Sequence, residues 1–147
     1  MRITIHSDTT FLICDELGNI PDGADFGLYQ EDTRFLSRYE LTLSGQQPLA
    51  LAAHVTAPFA ATHILTNSAL PDIPLGKLGI MRRRHVNAGM QEEIEITSYS
   101  DRDVAFTLEL RLGADFSHLF EVKHETQLHQ EVSLHAGRYS QSRSEDG

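Results

Sequence analysis

Hydrophobic and polar residues alternate with a period of two through most of the chain, and no segment holds a helical period for three turns. The longest run covers residues 103–113, where Val104, Phe106, Leu108, Leu110 and Leu112 share one face and Ala105, Thr107, Glu109 and Arg111 the other. Successive side chains of a strand point to opposite sides, so this segment predicts a strand with one buried face. Phe35, Tyr39, Leu41 and Leu43 make a similar row opposite Arg38, Glu40 and Thr42; Gly45-Gln46-Gln47-Pro48 then turns the chain toward residues 49–56, and the unit reads as a hairpin. A second hairpin carries Ile80 and Val86 on one strand and Ile94 and Ile96 on the other, joined through Asn87-Ala88-Gly89. It sets Arg82, Arg83 and Arg84 against Glu92, Glu93 and Glu95, which reads as a cross-strand ion-paired surface. Short strands are predicted over residues 3–6, 11–15 and 59–67, and loops rich in Gly, Pro and Asp over 17–23 and 70–76.

Many short strands separated by turn signals predict an all-β fold, an antiparallel β-sandwich with irregular loops and at most a short helical turn. With 147 residues the chain fits one domain, read as 1–136 followed by a polar tail, 137–147. A composition 40% hydrophobic and 22% charged is that of an ordinary globular protein. The formal net charge of -9 opposes nucleic acid, whose phosphates are bound by clustered Lys and Arg, and is compatible with a neutral ligand. The first residues lack an apolar signal core and nowhere do eighteen apolar residues run together, which disfavours secretion and membrane spanning. Cys14 is the only cysteine, a small core residue by its apolar neighbours; the chain is expected in a reducing compartment, the cytoplasm.

Candidate chemistry is sparse. Glycoside hydrolysis uses two carboxyl groups at a defined separation, and Asp32, Asp115 and Glu121 stand out because each lies beside aromatic residues in an irregular segment. The competing reading pairs Asp32 with Arg34 or uses it to cap a turn, and has Asp115 and Glu121 fix the loop after the long strand. Sugars stack on aromatic rings; the chain has no Trp, and Tyr29, in a predicted loop, is the best exposed platform, with packing as its other use. His124, His129 and His135 are spaced by five and six residues, which matches no metal motif, so neither metal nor cofactor is expected. No phosphate loop, dinucleotide fingerprint or nucleophile elbow occurs.

Five segments in order carry a family resemblance: Asp15-Glu16-Leu17-Gly18-Asn19-Ile20; Gly27-Leu28-Tyr29 with Asp32-Thr33-Arg34-Phe35-Leu36-Ser37; Leu65-Thr66-Asn67; Arg82-Arg83-Arg84; and Asp115-Phe116 with Phe120-Glu121-Val122. Together they resemble the N-terminal domain of bacterial and archaeal glycogen debranching enzymes of the amylo-α-1,6-glucosidase type. The resemblance implies a supersandwich-like domain placed before an (α/α)6 barrel that holds the catalytic acids. By that resemblance the chain is non-catalytic, and it packs against the barrel and borders its α-glucan cleft. Tyr29, Asp32, Arg34, Asp115 and Glu121 are then the candidate substrate or barrel-interface residues. His118 and Lys123 depart from the pattern, and the chain is expected to stop inside the sandwich, leaving strand edges exposed. A stand-alone carbohydrate-binding or interaction module is the alternative.

Overall fold

The computed structural model describes residues 2–23, 25–31, 33–114, 124–134 and 138–145, the last two stretches by their backbone. Among the described residues there is no helix, and twelve strands follow in order. They are β1 (Ile3–Ser7), β2 (Thr10–Cys14), β3 (Gly27–Gln30), β4 (Thr33–Leu36), β5 (Arg38–Leu43), β6 (Leu49–Ala57), β7 (Ala60–Thr66), β8 (Leu78–Val86), β9 (Met90–Ser98), β10 (Val104–Ala114), β11 (His124–Leu134) and β12 (Arg138–Glu145). All pairings are antiparallel. Three sheets result, ordered β1-β2-β3-β4, β11-β10-β5 and β12-β9-β8-β7-β6.

The fold is an antiparallel β-sandwich. One layer is the five-stranded sheet; β1 packs on β6, β7 and β8, and Tyr39 of β5 reaches Glu92 of β9, so the other two sheets face it. Those two are continuous through the chain at Ser37, whose N–H donates to the Gly113 carbonyl. The core lies between the layers, and the alternation expected for residues 103–113 holds, with Val104, Phe106, Leu108, Leu110 and Leu112 all buried. Cys14 and Tyr39 are buried in the same core.

Four expectations are corrected. The turn after β5 closes on itself, Leu43 and Gln46 exchanging backbone hydrogen bonds, and Ser44 N–H donates to Thr107 of β10. Buried Pro48, without an N–H, then ends any continuation of the ladder. β5 therefore pairs with β10, and β6 crosses to the other layer to pair with β7, so no β5–β6 hairpin forms. The row of Phe35 with Tyr39 is also broken: the interruption at Ser37 shifts the face, Leu36 is buried and Phe35 is only half-buried. Tyr29 lies in strand β3 rather than a loop. Finally, the segment read as a polar tail contributes β12, which pairs with β9 from Arg138↔Thr97 to Glu145↔Met90. Few apolar residues announce β12; its backbone satisfies the open hydrogen-bonding groups of β9, a reason that side-chain patterning does not display.

Candidate functional site

The β8–β9 hairpin sorts the three consecutive arginines by the strand period: Arg82 and Arg84 share the inward face with Leu78, Ile80 and Val86, and Arg83 points outward. The pairing Arg84↔Glu92 and Arg83↔Glu93 matches the expected cross-strand arrangement; Arg83 with Glu93 is the expected surface pair, whereas Arg84 with Glu92 is not on the surface. Arg82, Arg84 and Glu92 are buried, because a carboxylate on the inward face of β9 neutralises cations that could not otherwise enter the core.

Glu92 is the hub. Arg82 donates from Nη2 to Glu92 Oε1 at 3.1 Å and from Nε to Oε2 at 3.3 Å, Arg84 donates from Nη2 to Oε2, and the Tyr39 hydroxyl donates to Oε1 at 2.8 Å. Both guanidiniums lie over the Tyr39 ring, 5.4 and 5.8 Å from its centroid. The loop after β2 closes over this cluster. Arg82 Nη1 donates to the Leu17 carbonyl at 2.9 Å and to Asn19 Oδ1 at 2.8 Å, and that same Asn19 oxygen accepts the Leu41 N–H at 3.1 Å. Asp15 Oδ1 shapes the loop by accepting the N–H groups of Leu17 and Asn19. Gly18 has φ +81°, and a Cβ there would stand 2.9 Å from Arg84 Nη2 and 3.1 Å from the His63 ring, so the loop approaches this closely only with glycine.

Burial alone would push the Glu92 carboxyl up; Arg82 and Arg84 more than reverse this and hold it down at about 2. Burial, reinforced by Arg84 and Arg82, lowers His63 to about 3, so its imidazole is neutral. A carbonyl only accepts, so the Nδ1 that lies 3.0 Å from the Glu16 oxygen carries the proton. Nε2 is left facing the Cys14 sulfur at 3.8 Å, and burial pushes that thiol up. None of these groups is poised to exchange a proton near neutrality: a general acid for glycoside cleavage needs a carboxyl raised toward the working pH, and Glu92 is displaced the other way.

The outward face of the same strands carries a groove of about 800 Å³. Two rows cross it, Thr62, Arg83 and Glu93 in one and Ala60, His85 and Gln91 in the next, with Phe59 and Thr56 alongside. Arg83 Nη1 donates to Glu93 Oε1 at 2.7 Å, and its Nη2 lies 3.7 Å from Glu95. Phe59 is 49% exposed. The groove combines an aromatic edge with amide, hydroxyl, imidazole and paired charges, a set suited to hydrogen-bonding a polar neutral ligand or a partner surface.

Of the residues singled out by sequence, Tyr29 and Arg34 face each other in the β3–β4 register. The Tyr29 ring stacks on Phe11 at 4.7 Å and 8°, its hydroxyl donates to the Asp25 carbonyl, and Arg34 Nη1 donates to the Phe26 carbonyl. Neither residue lines the groove. Asp32, Asp115, Glu121 and His135 lie outside the described residues. The groove residues Phe59, Thr62, His85 and Gln91 carry no motif and were missed. The inward arginines were legible in the alternation Leu78-x-Ile80-x-Arg82-x-Arg84-x-Val86.

Three segments of the resemblance thus acquire a physical meaning. Residues 15–20 and Arg82-Arg83-Arg84 meet at Glu92. Buried Asn67 clamps the loop between β7 and β8, accepting the Leu78 N–H at Oδ1 and donating from Nδ2 to the Ser68 and Pro74 carbonyls. A family model described as the N-terminal domain of (some) glycogen debranching enzymes matches residues 5–144. No curated protein matches the chain. Because the match runs from within β1 to within β12 and includes the clamps that join the strands, the chain belongs to the family of glycogen debranching enzyme N-terminal domains.

Proposed function

We propose that this domain is the non-catalytic front of a glycogen-debranching glycoside hydrolase, an amylo-α-1,6-glucosidase of the cytoplasm. In this reading it packs against a downstream (α/α)6 barrel and borders the cleft in which the barrel cleaves α-glucan. The family match over residues 5–144 carries the reading. The groove supports it, since its carboxylate Glu93 is held by Arg83, a state suited to shaping and docking rather than to acid–base chemistry. Tyr29, Asp32, Arg34, Asp115 and Glu121 remain the proposed glucan or barrel-interface residues.

The test mixes the purified chain with the separately expressed catalytic segment of the parent enzyme. Stable association, with increased activity on branched glucan and no hydrolysis by the chain alone, is expected. Failure to associate or to alter activity removes the proposal.

A further inference from the structure

The outward face of the five-stranded sheet holds a feature apart from the groove lining. Gly79 interrupts an otherwise side-chain-bearing strand between Leu78 and Ile80, although a strand-interior glycine weakens a sheet. The space is occupied by Tyr99: a Cβ on Gly79 would stand 2.9 Å from Tyr99 Cε2, 3.5 Å from its Oη and 3.7 Å from Cζ. The ring is seated on backbone and its position is fixed further by the Tyr99 N–H donating to the Lys77 carbonyl at 2.8 Å. Yet Tyr99 is 68% exposed. By contrast, Tyr39 is buried and the Tyr29 ring is stacked on Phe11.

An aromatic ring with one side held against a strand and the other open to water is a preformed stacking surface, and it needs little ordering when a ligand arrives. Polar neighbours follow from the register. Thr97 is opposite Gly79 and Glu95 opposite Met81, both on the outward face and half-buried, and the next row is Arg83 with Glu93 at the mouth of the groove. An apolar platform followed by spaced hydrogen-bonding groups along one strand pair fits an elongated ligand with alternating apolar faces and hydroxyl edges.

We infer that Tyr99, seated on Gly79, is a glucan-binding platform from which an α-1,4-linked chain runs along β8 and β9 toward the groove. The choice of glucan rests on the debranching-enzyme reading; the platform itself rests on the geometry. The probe is maltoheptaose, titrated calorimetrically into the whole chain. Tyr99→Ala should weaken binding about tenfold, and Tyr99→Phe, which keeps the ring, should retain most of it. Gly79→Ala should match Tyr99→Ala although the tyrosine itself is retained, because the new methyl would stand 2.9 Å from Cε2 and push the ring off its seat without moving backbone. Gln46→Ala, exposed in the turn after β5 on the other layer, serves as the control that leaves binding unchanged.

Covering a strand glycine with an aromatic also stabilises a sheet. A purely structural Tyr99 would therefore lower the melting temperature on Tyr99→Ala and leave affinity equal to wild type, which overturns the inference. A wild-type chain that associates with the catalytic segment yet gives no heat at millimolar maltoheptaose overturns the platform too, and leaves the domain reading standing. A Tyr99→Ala chain that still associates but binds the oligosaccharide about tenfold more weakly is the expected result.

Discussion

At the scale of single residues, the molecule turns on a carboxylate shared by two guanidiniums and a phenol. Glu92 is fully buried, and its two oxygens receive Arg82, Arg84 and Tyr39. Replacing it by Gln keeps the shape but leaves two cations in the core with no anion at the hub, while Arg84 Nε and Nη1 already have no acceptor among the described residues. Removing one partner of a buried ion pair costs about 3–5 kcal/mol, so Glu92→Gln should lower the urea unfolding free energy by that amount. A loss below about 1 kcal/mol, the range of an exposed pair, would mean the cluster is hydrated and not part of the core. Gly18→Ala tests the loop above it: positive φ for a side-chain residue costs about 1–3 kcal/mol, and the methyl also presses on Arg84 and His63. The same urea titration should register a loss of at least that size, and no change would show that the loop relaxes away from the cluster.

At the scale of elements, β6 is the edge of its sheet and carries Leu49, Leu51 and Val55 at 42, 64 and 52% exposure. Its register with β7 shifts at Ala50/Ala52 and Val55/Ala57, bulges that twist an edge but do not cover it. An edge so apolar should pair with copies of itself as concentration rises. Sedimentation velocity is expected to show reversible self-association that Leu51→Lys and Val55→Lys each reduce, with an unchanged melting temperature; equal association in all three chains would place the contact elsewhere. The elements also show what patterning can and cannot display. Strands with one buried face, β7 through β10 above all, were legible because their apolar residues alternate. Strand β3, with its glycine and polar ends, was not, nor was β12, whose sequence offers few apolar residues and whose backbone pairs with β9. The β5–β6 connection was misread because a turn signal says that the chain reverses but not which sheet receives it. The arginine run was read with the right partners and, for Arg83, the right exposure; Arg82 and Arg84 are buried instead, because ion-pairing residues are ordinarily outside and their inward parity was outweighed by their charge. Tyr99 and Phe59 lie at strand ends, where alternation gives no sign of exposure.

For the whole molecule, the buried polar groups make stability a function of pH with a sign that can be worked out. His63 has an ordinary value of 6.5 and is lowered by burial to about 3 in the folded chain, so between those limits the unfolded chain takes up a proton that the folded one refuses. Stability is therefore full above 6.5 and falls as the pH drops, by at most about 1.4 kcal/mol per pH unit for this one group. Glu92, ordinarily near 4.5, is held by its arginines at about 2, so its contribution is present above 4.5 and is lost as pH falls toward 2. Asp15 acts in the opposite sense: burial raises its carboxyl, so it contributes stability at acid pH that disappears as pH rises through its folded value, partly offsetting Glu92. The first decline, from 6.5 to 4.5, thus belongs to the imidazole, and the steeper one below it to the ion-pair hub. Urea unfolding at a series of pH values should give this two-stage profile in wild type. His63→Gln, which retains an N–H able to reach toward the Glu16 carbonyl, should flatten the upper stage and leave the lower one. A His63→Gln profile parallel to wild type between 6.5 and 4.5 would show that the imidazole charges inside the folded domain, which the packing of residues 15–20 against β7 and β8 should forbid.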